Sequence, residues 1–242
     1  MKEERRIIGS EIRAVEKDGK HSLEGYAAKF NTLSLDLGGF FEKVDRGAFG
    51  NSLKNATDVR ALHNHDPNLI LGRVSAKTLE LSEDDVGLKV KIMPPETQWA
   101  KDLMVSIQRG DISQMSFGFR VQKDAWEVNE TKDNIRTLMD VHLMDVSSVT
   151  FPAYTQSEIY VRSFDQLGLN FAEIQRIMVR FEHNLAISNE DREAILKTVE
   201  ILNTMAADEI IQDADEEKQK ASRLAQLLII QKQLNLRDRL GG

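Results

Sequence analysis

Between residues 5 and 155 apolar and polar positions alternate in short runs, among them "GYAAKF", "KTLELSE", "GLKVKIM", "ISQMSFGFRV" and "IRTLMDVHLMDVSSVTF". A period of two, punctuated by Gly, Pro, Asn and Asp, predicts half-buried strands joined by turns. One stretch breaks the rhythm. In "ETQWAKDLMVSIQRG", Trp99, Leu103 and Ile107, with Ala100 and Met104 beside them, recur at helical spacing, and Gly110 supplies a stop. From Gly168 onward the period changes to three and four. Leu169, Ile174, Ile177, Met178 and Phe181 make one stripe, Ile195, Val199, Leu202 and Met205 a second, and Leu224, Leu227, Leu228 and Leu234 a third.

Composition sharpens this division. All 4 prolines and eleven of the 14 glycines precede residue 155, and after Gly168 no residue that interrupts helices occurs until Gly241-Gly242. The blocks "SNEDRE" and "DEIIQDADEEK" read as helix starts: Ser188 or Asn189 can cap free N–H groups, and the acids suit the positive end of the helix dipole. Otherwise these charges read as a solvated helix face. A helical tail that cannot bury its own stripe is expected to pack on the β-rich part or on another chain. At 242 residues the chain suffices for one core of about 150 residues with an appendage.

A formal charge of -7 argues against nucleic acid or an anionic membrane as partner, because both are attracted by clustered basic residues. The absence of cysteine excludes disulfides, thiolate nucleophiles and cysteine-zinc sites, and suits a reducing cytosol. The charged N-terminus lacks the apolar run of a signal peptide, and no stretch is long and apolar enough to span a bilayer. A soluble chain is expected, with a protein as its partner.

Three stretches could carry chemistry. In "LHNHD", His63 and His65 could share a metal, but no third ligand is evident. A histidine acting as general base instead needs a nucleophile and an orienting group close in space. In "GDISQMSFGF" an extended strand puts Ile112, Gln114, Ser116 and Gly118 on one face and Met115, Phe117 and Phe119 on the other. The aromatics fix one face in the core and leave Ser116 on the opposite face beside a glycine that admits close backbone approach. Ser113 falls on the core side. In "HLMDVSSVTFPAY" the same alternation places Asp145 with Leu143 and Ser147, and His142 with Met144 and Val146. An acid inside an apolar strand is costly to bury alone, so Asp145 is either a partner for a histidine or half of a structural ion pair.

In order and wording these stretches resemble the prohead maturation proteases of tailed bacteriophages, serine peptidases related to the herpesvirus assemblins. The likeness covers roughly residues 8 to 160 and is carried by "LEGYAAKFNTLSLDLGGFFEKVDRGAF", "ALHNHDPNLILGR", "LELSEDDVGLKVKIMPP", "GDISQMSFGFRV" and "MDVSSVTFPAY". The resemblance implies an α+β fold: a small assemblin-like β-barrel flanked by helices, with a C-terminal helical segment. It implies a catalytic domain over residues 1–160. The helical tail over 165–242, which the resemblance does not cover, is expected to serve partner docking, self-association or packing.

Carried over by motif, the catalytic residues are His65 from the "HD" pair, Ser116 from "MSFGF" and Asp145 from the segment ending in "FPAY". Aspartate stands where glutamate is commoner in the family. The assemblins use a histidine as third member, which makes His142 the alternative, while His63 is read as structural. The implied function is a serine endopeptidase, acting through an acyl-enzyme without cofactor or metal, that cleaves the scaffold segment of the major capsid protein and then itself. It would work inside the assembling prohead in the host cytoplasm, with a homodimer as one assembly state. The alternative is a non-catalytic capsid-assembly or scaffolding protein that keeps the fold.

Overall fold

Among the described residues the alternating segments become ten strands. In chain order they are β1 (Glu4–Arg6), β2 (Glu11–Lys17), β3 (Lys20–Lys29), β4 (Phe41–Val44), β5 (Arg60–His63), β6 (Asp66–Arg73), β7 (Leu79–Glu83), β8 (Gly87–Ile92), β9 (Gln114–Val128) and β10 (Asn134–Val149). Among the described residues four helices accompany them: α1 (Gly50–Lys54), α2 (Gln98–Arg109), α3 (Phe171–Glu182) and α4 (Asn189–Ala207). This computed structural model describes residues 2–17, 20–55, 58–151 and 168–207. The chain divides into two compact units, Met1–Tyr154 and Thr155–Gly242. The class is mixed α+β. Among the described residues no helix is long and apolar enough to cross a membrane.

The first unit is built from two sheets. One runs β1-β9-β10-β5-β6 with β4 also on β10; the other runs β2-β3-β8-β7. A single core joins them, with Leu23, Leu88 and Ile92 from the second sheet, Phe117, Phe119 and Leu143 from the first, and Leu103 and Ile107 from α2. Phe117 lies at 4.9 Å from Phe119 and meets Phe49 edge-on at 5.5 Å. Each such fully buried side chain contributes about 1.5–3 kcal/mol, which fixes the face that β9 turns inward. As the periodicity predicts, α2 buries Ala100, Leu103, Met104 and Ile107, and Gly110 ends it in the left-handed conformation (φ 84°).

β10 is the organising strand. Its first half pairs in parallel with β4, through Ile135 to Leu138, and its second half with β5, through Asp145 to Ser148. Helix α1 fills the gap where β10 changes partner: Ser52 Oγ donates to the Val141 carbonyl at 2.7 Å and accepts from the Leu143 N–H at 2.8 Å. Along its other edge β10 pairs with β9, but the register shifts between Leu143 and Asp145. Met144 is the extra residue of a β-bulge.

The bulge corrects the expected alternation. Leu143 and Val146 both enter the core, so Asp145 does not share a face with Leu143. The inserted residue moves every later side chain to the other face. Two smaller corrections concern the start of β9: Ile112 precedes the strand and joins the core, while Ser113 is exposed rather than core-facing.

In the second unit, Asn170 caps α3 by accepting from the Glu173 N–H at 3.1 Å. Ser188, one of the two expected caps, starts α4: its hydroxyl accepts from the Asp191 N–H at 3.1 Å, while the Asp191 carboxylate accepts from the Ser188 N–H at 2.8 Å. Asp191 is fully buried and ion-paired with the buried Arg180, so this acid of "SNEDRE" is not part of a solvated face. The stripes are also narrower than expected. Leu169 and Ile177 are buried, but Phe181 and Val199 are exposed. The third stripe, from Leu224 to Leu234, lies outside the described residues, as does the side chain of Met205.

Candidate active site

The site forms where the β5–β6 hairpin meets the β9–β10 ladder. His63 and Asp66 are paired, leaving a two-residue loop in which Asn64 (φ 52°) and His65 (φ 58°) are both left-handed. Two consecutive positive φ angles define a type I′ turn, which matches strand twist and favours Asn at its first position and Gly at its second. Asn64 obeys that preference; His65 stands where glycine would be easier. A non-glycine residue in this region costs roughly 1–2 kcal/mol, and histidine is among those that tolerate it best.

The surroundings hold that conformation. The Asn64 N–H donates to the Ser148 carbonyl at 2.8 Å, and its side chain accepts from the Thr150 N–H at 2.9 Å and donates to Thr150 Oγ1 at 3.1 Å. Asn64 thereby ties the turn to the end of β10. Pro67 lacks the N–H that a ladder needs, and the register slips between His63 and Leu62; Asp66 Oδ1 instead accepts from the Asn68 N–H at 2.8 Å.

His65 therefore reaches across β10 toward β9. Its Nδ1 lies 2.6 Å from Asp145 Oδ1 and its Nε2 lies 2.7 Å from Ser116 Oγ. A carboxylate only accepts, so Nδ1 carries the hydrogen and Nε2 of the neutral ring accepts from the serine hydroxyl. The register explains the convergence: Asp145 pairs with Gly118 and Ser147 with Ser116, which puts Ser116, Asp145 and Ser147 on one face, away from the core. Ser116 is 2% and Asp145 7% exposed. Ser147 Oγ donates to Asp145 Oδ1 at 2.7 Å and lies 3.3 Å from His65 Nδ1.

Gly118 has a different use from the expected one. A Cβ there would stand 2.1 Å from Asp145 Oδ2, so the missing side chain makes room for the carboxylate rather than for a substrate backbone.

The other sequence candidates separate from this group. His63 turns the opposite way: its Nδ1 lies 3.0 Å from Ser148 Oγ, and its Nε2 accepts from Asn64 Nδ2 at 3.1 Å. Burial pushes its imidazole below the usual histidine range, against a smaller upward effect of the Ser148 contact. His142 is exposed, opposite Arg120, while Asp145 occupies the place beside His65. Among the described residues no three His, Asp or Glu side chains gather as a metal site, and within "LHNHD" His63, His65 and Asp66 each engage different partners.

Sequence reading passed over Asn64, Ser147 and the carboxylate role of Gly118. For Ser147 the signal was present, two residues after Asp145 in one strand. Pro152, Ala153 and Tyr154 of "FPAY" lie outside the described residues.

What the arrangement can do is shift a proton from hydroxyl to imidazole while a carboxylate holds the ring and balances its charge. Residues 9–169 match the family model described as caudovirus prohead serine protease. The prohead protease of Enterobacteria phage HK97 is 34% identical over 146 residues, which is 59% of this chain and 60% of that protein. The alignment thus spans less than two thirds of that relative. Among solved structures, the bacteriophage T4 capsid assembly protease aligns with a TM-score of 0.43 and 12% identity, over 62% of this chain and 98% of that one.

Proposed function

Because this chain belongs to the caudovirus prohead serine protease family, we propose that it is a capsid-maturation endopeptidase in which Ser116 is the nucleophile, His65 the general base and Asp145 the orienting acid. The continuous hydrogen-bond chain from Asp145 through His65 to Ser116 carries this reading, at 2.6 Å and 2.7 Å. Ser116 Oγ attacks the scissile carbonyl as its proton passes to His65 Nε2. The imidazolium, stabilised by Asp145, returns that proton to the leaving amine, and an acyl-enzyme remains on Ser116. His65 then activates water for deacylation.

The substrates in this reading are the scaffold segment of the major capsid protein and the protease itself, met inside the assembling prohead in the host cytoplasm. The catalytic part spans residues 1–160 as an assemblin-like barrel. Support comes from the stitching of its sheets at one edge, where Lys29 N donates to the Ile8 carbonyl at 2.9 Å and Ile12 N to the Ser113 carbonyl at 3.1 Å. The helical segment over 165–242 serves partner docking or self-association.

Co-expression with the matching capsid protein tests the function. Wild type should remove the scaffold segment and shorten itself, and Ser116→Ala should do neither. Equal cleavage by both proteins would rule out Ser116, and no cleavage by either would favour the non-catalytic assembly role.

A further inference from the structure

We propose that Ser147 is a positioning residue of this site: its hydroxyl fixes the Asp145 carboxylate so that Oδ1 stays aimed at His65 Nδ1. The inference rests on the reading of Ser116 as nucleophile and His65 as base.

The last torsion of an aspartate is broad, and a carboxylate free to swing presents its oxygens to the imidazole only part of the time. Two features restrain it. Oδ2 lies against Gly118, where a Cβ would stand at 2.1 Å, and Oδ1 accepts the Ser147 hydroxyl at 2.7 Å.

Ser147 has no exposed surface, so bulk water does not compete for its hydroxyl. It rides two residues beyond Asp145 on the same face of β10 and pairs with Ser116, so it moves with both. Its neighbour Ser148 turns to the other face and serves His63. The 3.3 Å approach of Ser147 Oγ to His65 Nδ1 is the longer contact, and Nδ1–H is directed to the carboxylate. The hydroxyl therefore acts through Asp145.

The hydroxyl also places the positive end of its dipole at Oδ1, which weakens the field the imidazolium feels. Removing it has two consequences: the carboxylate wanders, and when in place it holds the imidazolium more tightly. The reaction slows, and its acid limb moves to higher pH. The charged and titratable groups around the pair are Arg5 opposite Gly118, Arg60 opposite Asp145, Arg73 opposite Arg60, and His63 and Asp66 flanking the turn; none changes in the variant.

Phosphonylation by a fluorophosphonate probe reads the effect directly. The Ser116 Oγ–P bond forms, the P–F bond breaks, and the hydroxyl proton passes to His65. Its rate is followed from pH 5 to 9 for full-length wild type, Ser147→Ala, Ser147→Thr and Ser116→Ala, with a thermal melt of each. Ser147→Ala should react about tenfold more slowly, the order expected for one hydrogen bond to an ionised group. Its acid limb should sit at higher pH than that of wild type, and Ser147→Thr, which keeps the hydroxyl, should restore the limb. A Ser147→Ala rate within twofold of wild type, or a fall in rate and melting temperature with an unmoved limb, overturns the role of Ser147 alone. Failure of wild type to react at Ser116 overturns the parent reading as well.

Discussion

Gly118→Ala is the perturbation whose size the structure fixes most closely. The new methyl group would lie 2.1 Å from Asp145 Oδ2 and 3.1 Å from Asp145 Cγ, so the obstacle is a side chain and not the strand itself. To regain an ordinary contact of 3.4 Å, the carboxylate must retreat by about 1.3 Å. The bond from His65 Nδ1 to Oδ1 is 2.6 Å and that from Ser147 is 2.7 Å, and a retreat of that size takes one or both beyond hydrogen-bonding distance. Two losses follow. Overpacking should cost about 1–3 kcal/mol of stability. Activity should fall much further, on the order of 10³–10⁴-fold, because a base without its orienting acid adopts the wrong tautomer. Cleavage of a scaffold peptide and urea unfolding of the same preparation separate the effects. Gly50→Ala is the control: its Cβ would meet only Glu83 Oε2, at 3.6 Å, at the start of a helix, and both activity and stability should hold or rise slightly. Activity of Gly118→Ala within tenfold of wild type would refute the claim that the Asp145 carboxylate needs this space.

Other expectations follow from the turn and the second unit. His65→Gly should abolish peptide cleavage yet keep a higher melting temperature than His65→Ala, because both lose the bonds to Asp145 and Ser116 but only glycine adopts φ 58° without strain. His63→Ala should keep activity within about fivefold while costing about 1 kcal/mol in chemical denaturation, since it loses contacts to Ser148 and Asn64 but none to Ser116. Asp191→Ala should loosen α3 and α4 by about 1–3 kcal/mol, read as faster amide exchange there, because the buried Arg180 and the Ser188 N–H both lose the Asp191 carboxylate. Burial alone would raise the Asp191 carboxyl, but Ser188 and Arg180 hold it below its ordinary value of 3.8. Its contribution is therefore complete above about pH 4 and is lost as pH falls through the lower folded-state value, so an acid titration of amide exchange in α3 and α4 should show protection failing only below that range.

Sequence pattern carried the alternation of β9 and the helix at Gln98–Arg109, while His65, Ser116 and Asp145 were chosen by motif resemblance, and the structure brings those three side chains together. It could not carry the face of Asp145. A single extra residue at Met144 reverses the alternation, and nothing in "HLMDVSS" marks the bulge, because its cause is the pairing with β9. "LHNHD" was ambiguous for a related reason. In a regular strand its histidines would share one face, and only the left-handed pair Asn64-His65 sends one to Ser148 and the other to Ser116. Gly118 was legible as a close approach but not in what approaches it, since Asp145 lies 27 positions further along the chain. The burial of Asp191 was hidden because its partner, Arg180, belongs to the preceding helix.

The central claim is that Ser116 is the nucleophile and His65 its base, and one measurement meets it directly. The full-length protein is incubated with a fluorophosphonate and digested, and the modified peptide is sequenced by mass spectrometry. The account predicts a single adduct on Ser116 in wild type and none in His65→Ala. An adduct on another residue, or unmodified protein that still cleaves peptide, would contradict it.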